Sequence, residues 1–181
     1  KTLLQWQLQS LQIAGVDRIS VVTGYKDQMI QGEFETINNS RWYETNMVSS
    51  LFCAPVPASN SEVIVSYSDI VYHSSHVELL LASKGDIVVS SDIYWRDLWS
   101  LRFDNPLDDA EVFKSSKGQL IQVGGKTKSI EDIQGQYMGL MKLSRRGWLA
   151  MRELFNTFNS KKQQSMDMTS MLSELIERGV C

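Results

Sequence analysis

Glu62-Val63-Ile64-Val65-Ser66-Tyr67-Ser68-Asp69-Ile70 is the stretch that decides the fold. Its first six residues form an apolar, β-branched run of strand length, and the Ser-Asp pair after them ends it in a loop. Two runs of the same kind lie on either side. Arg18-Ile19-Ser20-Val21-Val22-Thr23 ends at Gly24, and Asp86-Ile87-Val88-Val89-Ser90 follows Lys84-Gly85. The segments between them carry helical signals. Leu4, Leu8 and Leu11, with Trp6 and Ile13, keep one face until Gly15. A short helix is expected over Tyr25–Ile30, and another over Asn46–Ala54 until Pro55. A third covers His76–Ser83, with Ser74 or Ser75 as its cap. A weaker strand lies near Thr36-Ile37. Strand and helix therefore alternate, which predicts an α/β fold: a Rossmann-like, mostly parallel sheet flanked by helices and joined by right-handed crossovers.

The pattern changes after Ser90. Tyr94–Asp109 is rich in tryptophan and charge, with no clean period. Ala110–Ser115 and Gln119–Gly124 read as an antiparallel hairpin turning at Ser116-Lys117-Gly118. Gln136–Leu143 reads as a further strand and Gly147–Phe158 as an amphipathic helix. Lys161–Ser165 reads as a polar loop, and a last helix begins at the cap Asp167 and runs to Arg178.

Composition narrows the function classes. The chain of 181 residues suits one domain, residues 1–181. Eighteen basic against 21 acidic residues, a net charge of −3, exclude a strongly basic nucleic-acid binder. No apolar run approaches the roughly 20 residues of a membrane span. Cys53 and Cys181 make neither a disulfide framework nor a metal-ligand pair, so a reduced, cytoplasmic setting is expected. Helical periodicity starts almost at residue 1, and the last helix stops at Gly179, where a further strand would ordinarily follow. The expectation is a domain incomplete at both ends.

Asp69 stands where an apolar strand ends, the place at which open α/β sheets bind ligands. A carboxylate there can hold Mg²⁺ against a phosphate, or it can simply cap the turn. Trp95 to Glu111 mixes tryptophans with Asp97, Arg102, Asn105, Asp108 and Asp109. That mixture suits a small cationic or phosphorylated ligand, and equally a surface excursion whose tryptophans pack inward. His73 and His76 lack a third metal ligand and read as a solvated helix start. Cys53 reads as core, and the eight methionines as packing residues. Gly124-Gly125-Lys126-Thr127 has only part of a phosphate-loop pattern, because the upstream glycine is absent.

In order, these segments resemble the nucleotidyltransferase family that activates sugar phosphates, phosphocholine and phosphonates. The resemblance runs through Lys1–Leu8, Ile19–Tyr25, Thr45–Leu51, Tyr67–Ile70, Leu98–Glu111, Gly135–Leu140 and Asp167–Leu172, nearly the whole chain. It implies an enzyme that binds a nucleoside triphosphate, CTP in the phosphocholine and phosphonate branch, with Mg²⁺. An oxygen of a phosphate or phosphonate acceptor attacks the α-phosphorus, and pyrophosphate leaves. By the same resemblance Asp69 is a metal-binding carboxylate, while Asn46, Ser49, Ser50 and Tyr67 belong to the nucleotide site. Trp99, Arg102, Asn105, Asp108, Glu111 and Gln136 belong to the acceptor site. A second copy of the chain is a further partner that this reading admits. The family's glycine-rich triphosphate loop precedes the helix that opens this chain, and its second metal-binding aspartate follows the last one. The expectation is therefore that residues 1–181 fold but do not catalyse alone. The competing expectation is a non-catalytic ligand-binding or regulatory module that keeps the same fold.

Overall fold

A computed structural model of the chain describes residues 1–179, so Cys181 lies outside the described residues. The elements in order are α1 (Leu3–Ile13), β1 (Ser20–Thr23), β2 (Glu35–Asn38), α2 (Met47–Leu51), β3 (Glu62–Ser66), α3 (Ser74–Ala82) and β4 (Ile87–Asp92). They continue with α4 (Trp95–Arg102), β5 (Phe113–Ser116), β6 (Gln119–Val123), β7 (Gln136–Ser144), α5 (Arg145–Asn156), α6 (Ser160–Ser165) and α7 (Met168–Glu177). The α/β class holds. No helix among the described residues is long and apolar enough to cross a membrane.

The pairing of the strands refines the expected parallel sheet. Among the described strands the parallel pair is β1 with β2, registering Ser20 on Glu35 and Thr23 on Asn38. The central sheet has the order β3-β7-β4, and β7 runs antiparallel to both neighbours. β3 and β4 thus run the same way, as the β3-α3-β4 sequence requires, but one strand's width apart, and β7 fills that gap. The expected hairpin forms from β5 and β6. Lys117 and Gly118 both take positive φ, 51° and 78°, the backbone that tight hairpin turns demand.

Alternation along β3 and β7 sorts side chains onto two faces. Val63, Val65, Met141 and Leu143 meet α2, α5 and α7 in the larger core, which includes Trp148, Met151, Met168, Met171 and Leu175. Ile64, Val88 and Leu140 face α1 and α3, through Leu11, Val77 and Leu80. Each such side chain taken fully from water contributes about 1.5–3 kcal/mol. Met141, Met151, Met166, Met168 and Met171 are buried as packing residues should be, but the expectation fails for Met29 and Met47, which are exposed on the short turn Asp27–Met29 and at the start of α2. Lys142, on the α1/α3 face, is only 2% exposed. Its ammonium donates to the Ser83 carbonyl at 2.6 Å and pairs with Glu62 at 2.9 Å, tying β7 to the end of α3 and the start of β3.

Four local expectations are corrected. Tyr94–Asp109 is not irregular throughout, because it contains α4, whose Trp95 and Trp99 pack on Ala110 and Ile133. Lys161–Ser165 is helical, capped by Asn159. The cap of α3 is His73, whose Nδ1 accepts from the Ser75 N–H, and neither serine fills that role. Cys53 is exposed just beyond α2 and is not core, since the short helix ends at Leu51 and turns its tail to solvent.

Candidate active site

α1 builds one wall of the site. Thr2 and Gln5 close a reciprocal capping box at its start. On its buried face, the Gln7 Nε2 donates to the carbonyls of Tyr67 (2.8 Å) and Ile70 (2.7 Å), and the Ser10 hydroxyl donates to the Tyr72 carbonyl (2.7 Å). These three bonds fix the loop that leaves β3. Asp69 lies at its crest, exposed, and among the described residues its carboxylate has no hydrogen bond or ion pair.

Tyr67 points to the other face of the sheet. Its N–H bonds the Gly139 carbonyl at 2.8 Å, and its ring meets Tyr137 edge-on, with centroids 5.8 Å apart. Gly139 takes φ +76°, and its missing side chain is the space that the Tyr67 ring fills. Burial raises the Tyr67 hydroxyl pKa far above the usual phenol value. The neighbouring Tyr137 and the carboxylates of Asp167, Asp69 and Glu111 raise it further. Burial likewise raises Tyr137, with the adjacent Tyr67 hydroxyl holding it back in part, and among the described residues the enclosed Tyr137 hydroxyl makes no well-formed hydrogen bond.

β4 and β7 bring the remaining residues to this end of the sheet, where Asp92 registers on Gln136 and Ser91 on Tyr137. Gln136 is buried, and its amide grips the backbone of Glu111. The Oε1 accepts from the Glu111 N–H at 3.2 Å, while the Nε2 donates to the Glu111 carbonyl at 2.6 Å and to the Gly135 carbonyl at 3.0 Å. The Glu111 side chain is half-buried. Burial pushes its carboxyl above the ordinary value and Asp167 adds to this, with Thr169 and Lys126 holding it back in part.

The other residues of the Trp99–Glu111 stretch are engaged with one another. The Trp99 indole N–H donates to Asp109 at 2.9 Å, and the Arg102 guanidinium lies 5.4 Å over the Trp99 ring. Asn105 caps the turn Pro106–Asp108 through the Leu107 N–H and donates to Asp108 at 3.0 Å. Lys126 donates to the carbonyls of Asp108 and Asp109, so the Gly124–Thr127 stretch serves this turn with its one lysine.

Asn46, Ser49 and Ser50 lie at the start of α2 and along it, where Asn46 and Ser49 hold α6 and Ser50 holds Asn39. Asn46 caps α2, and its own N–H donates to the Gln164 carbonyl at 2.8 Å. The Ser49 hydroxyl donates to the Gln163 carbonyl at 2.9 Å, and Ser50 accepts from the buried Asn39 at 3.0 Å. Ser49 also borders a cavity of about 440 Å³ with Asn39, Arg41, Thr45 and Arg152. A second groove, of about 790 Å³, lies at Glu62, Arg145 and Arg146, and neither cavity contains Asp69 or Glu111. The structure thus brings Tyr67, Asp69, Glu111 and Gln136 to one end of the sheet and adds Tyr137, Gly139 and Asp167. Asp167 was legible only as a helix cap, which it is, through the Ser170 N–H at 2.7 Å.

No protein-family profile matches the sequence. The curated CTP:phosphoglutamine cytidylyltransferase of Campylobacter jejuni is 33% identical, over 98% of this chain and 77% of its own length. The chain belongs to the cytidylyltransferase-like nucleotidyltransferase family. Two solved structures share the fold of this nucleotidyltransferase at 15% identity. The inositol-1-phosphate CTP transferase of T. maritima superposes with a TM-score of 0.71, over 98% of this chain and 69% of its own. A protein assigned as a glucose-1-phosphate thymidylyltransferase of Bacillus anthracis gives 0.66, over 98% and 71%. The family assignment makes the chain an enzyme of this class and disfavours the non-catalytic module.

Proposed function

We propose that this nucleotidyltransferase moves CMP from CTP onto a phosphate or phosphonate oxygen of a small acceptor. The observation that carries the reading is the meeting of Tyr67, Asp69, Glu111 and Gln136 at the carboxyl ends of β3 and β4, in a chain one-third identical to an enzyme named for CTP and phosphoglutamine. An acceptor oxygen forms a bond to the α-phosphorus while the bond to the β-phosphate oxygen breaks, and pyrophosphate departs. Gln7 and Ser10 hold the β3 loop rigid for this, and the Tyr67–Tyr137 pair walls off water on the opposite face.

Mg²⁺ is part of the proposal. Among the described residues no three metal-binding side chains converge, and the exposed, unpartnered Asp69 is the carboxylate offered at the strand end. That donor set fits Mg²⁺, which takes one or two carboxylates and completes its shell with phosphate oxygens and water. When bound, the ion would neutralise charge that builds on the phosphates. We further place the enzyme in the cytoplasm, where an exposed thiol such as Cys53 stays reduced.

The test is pyrophosphate release, with Mg²⁺, by the full-length protein, including any sequence that flanks residues 1–181. CTP, UTP and ATP are each offered with phosphoglutamine, phosphocholine, 2-aminoethylphosphonate and glucose-1-phosphate. Release that needs both CTP and one of these acceptors supports the reading, and no release from any pairing overturns it.

A further inference from the structure

Gln136 spends its whole amide on the backbone around Glu111, and it does so from a buried position across 25 residues of sequence. An amide that accepts from an N–H and donates to the carbonyl of the same residue fixes that residue's backbone in two directions, as a strand partner would. Glu111 lies between the strand end and the hairpin, and the bonds of Val112 to Gly125 and Gly124 secure only its far side. The Gln136 amide is therefore the clamp on the near side. The carboxylate that it aims is half-buried and close to Asp167, and among the described residues no lysine or arginine reaches it at ion-pair distance. Thr169 and the more distant Lys126 offset its burial only in part, so this half-buried carboxylate beside Asp167 can still take a hydrogen-bond donor from a ligand.

We propose that Glu111 takes a hydrogen bond from the acceptor substrate and that Gln136 is the positioning residue that sets Glu111 for it. The proposal rests on the functional reading above and assigns Gln136 no contact with substrate. Loss of the clamp lets the Ala110–Val112 segment drift, so acceptor binding weakens while the nucleotide side, held by α1 and the β3 loop, does not change.

The experiment is a double-mutant cycle on the same full-length protein with CTP and whichever of the four acceptors gives the highest turnover. Gln136→Ala should raise the acceptor KM about tenfold and change the CTP KM less than about twofold. That tenfold corresponds to 1.4 kcal/mol. Glu111→Gln should raise the acceptor KM as well, and Gln136→Ala added to it should raise it little further. Gln136→Glu keeps an acceptor for the Glu111 N–H but loses the donor to its carbonyl, and should fall between wild type and Gln136→Ala. Equal changes in both KM values, or full additivity of the two substitutions, would overturn the proposal while the functional reading stands. If Gln136→Ala fails to fold, the Gln136→Glu arm of the same cycle decides by the same criteria. Absence of pyrophosphate release from wild type with every acceptor overturns the functional reading and this inference with it.

Discussion

The ring of Tyr67 occupies the volume that a side chain on Gly139 would need: a Cβ built at Gly139 would lie 2.6 Å from two ring carbons of Tyr67. The two residues are also joined by a backbone hydrogen bond of 2.8 Å. A glycine in the middle of the central strand is therefore what allows a tyrosine to lie flat at the site.

Gly139→Ala should destabilise the protein by about 2–4 kcal/mol, the sum of a positive φ imposed on alanine and an overpacked contact with the ring. Urea denaturation measures it. A loss below about 1 kcal/mol would mean that the Tyr67 ring moves aside freely.

Asp69→Asn should leave the circular dichroism and Tm unchanged, since the exposed carboxylate holds nothing else in place. It should lower Mg²⁺-dependent pyrophosphate release by about two orders of magnitude or more, in keeping with several kcal/mol of charge stabilisation. Wild-type turnover in the variant, with the same Mg²⁺ dependence, would remove Asp69 from the metal's coordination.

Glu111→Gln should stabilise the fold at neutral pH. Burial holds the folded carboxyl above its unfolded value of about 4.3, so ionised Glu111 costs stability. Its favourable contribution is complete below the unfolded value and fades as pH rises through the folded one. The Tm advantage of the variant should accordingly be larger at pH 7 than at pH 3.5. A constant advantage across that range would show that Glu111 ionisation is not linked to folding.

Glu62→Ala should cost more stability than Lys142→Met. Removing Glu62 strands a buried ammonium with only the Ser83 carbonyl, whereas methionine fills the lysine's volume without a charge. Urea midpoints compare the two. The reverse order would mean that the ion pair itself stabilises the sheet.

The strands that could be read from the sequence are those whose own residues carry the signal, as Val63-Ile64-Val65 and Ile87-Val88-Val89 do. What escaped reading depends on partners far along the chain. The central place of β7 follows from pairing Leu143 with both Val63 and Ile87, and no local pattern encodes this. α4 hides its period because Leu98 and Leu101 on its outer face are exposed at 48% and 86%. α6 has no apolar face at all and is held by hydrogen bonds to Asn46 and Ser49. At the site, the position of Asp69 was legible from its strand end. Gln136 was expected to touch the acceptor, and only the folded backbone shows its amide already committed to Glu111.

The position of β7 also governs when the molecule can form. β3 and β4 leave the ribosome early, yet the strand that joins them begins only at Gln136. Among the described residues β3 and β4 share no hydrogen bonds with each other, and the strand that joins them arrives 44 residues after β4 ends (136 − 92). Pairings so distant along the chain fold slowly and leave sticky edges open in the meantime. Pairing of β7 therefore sets the pace at which the central sheet can close.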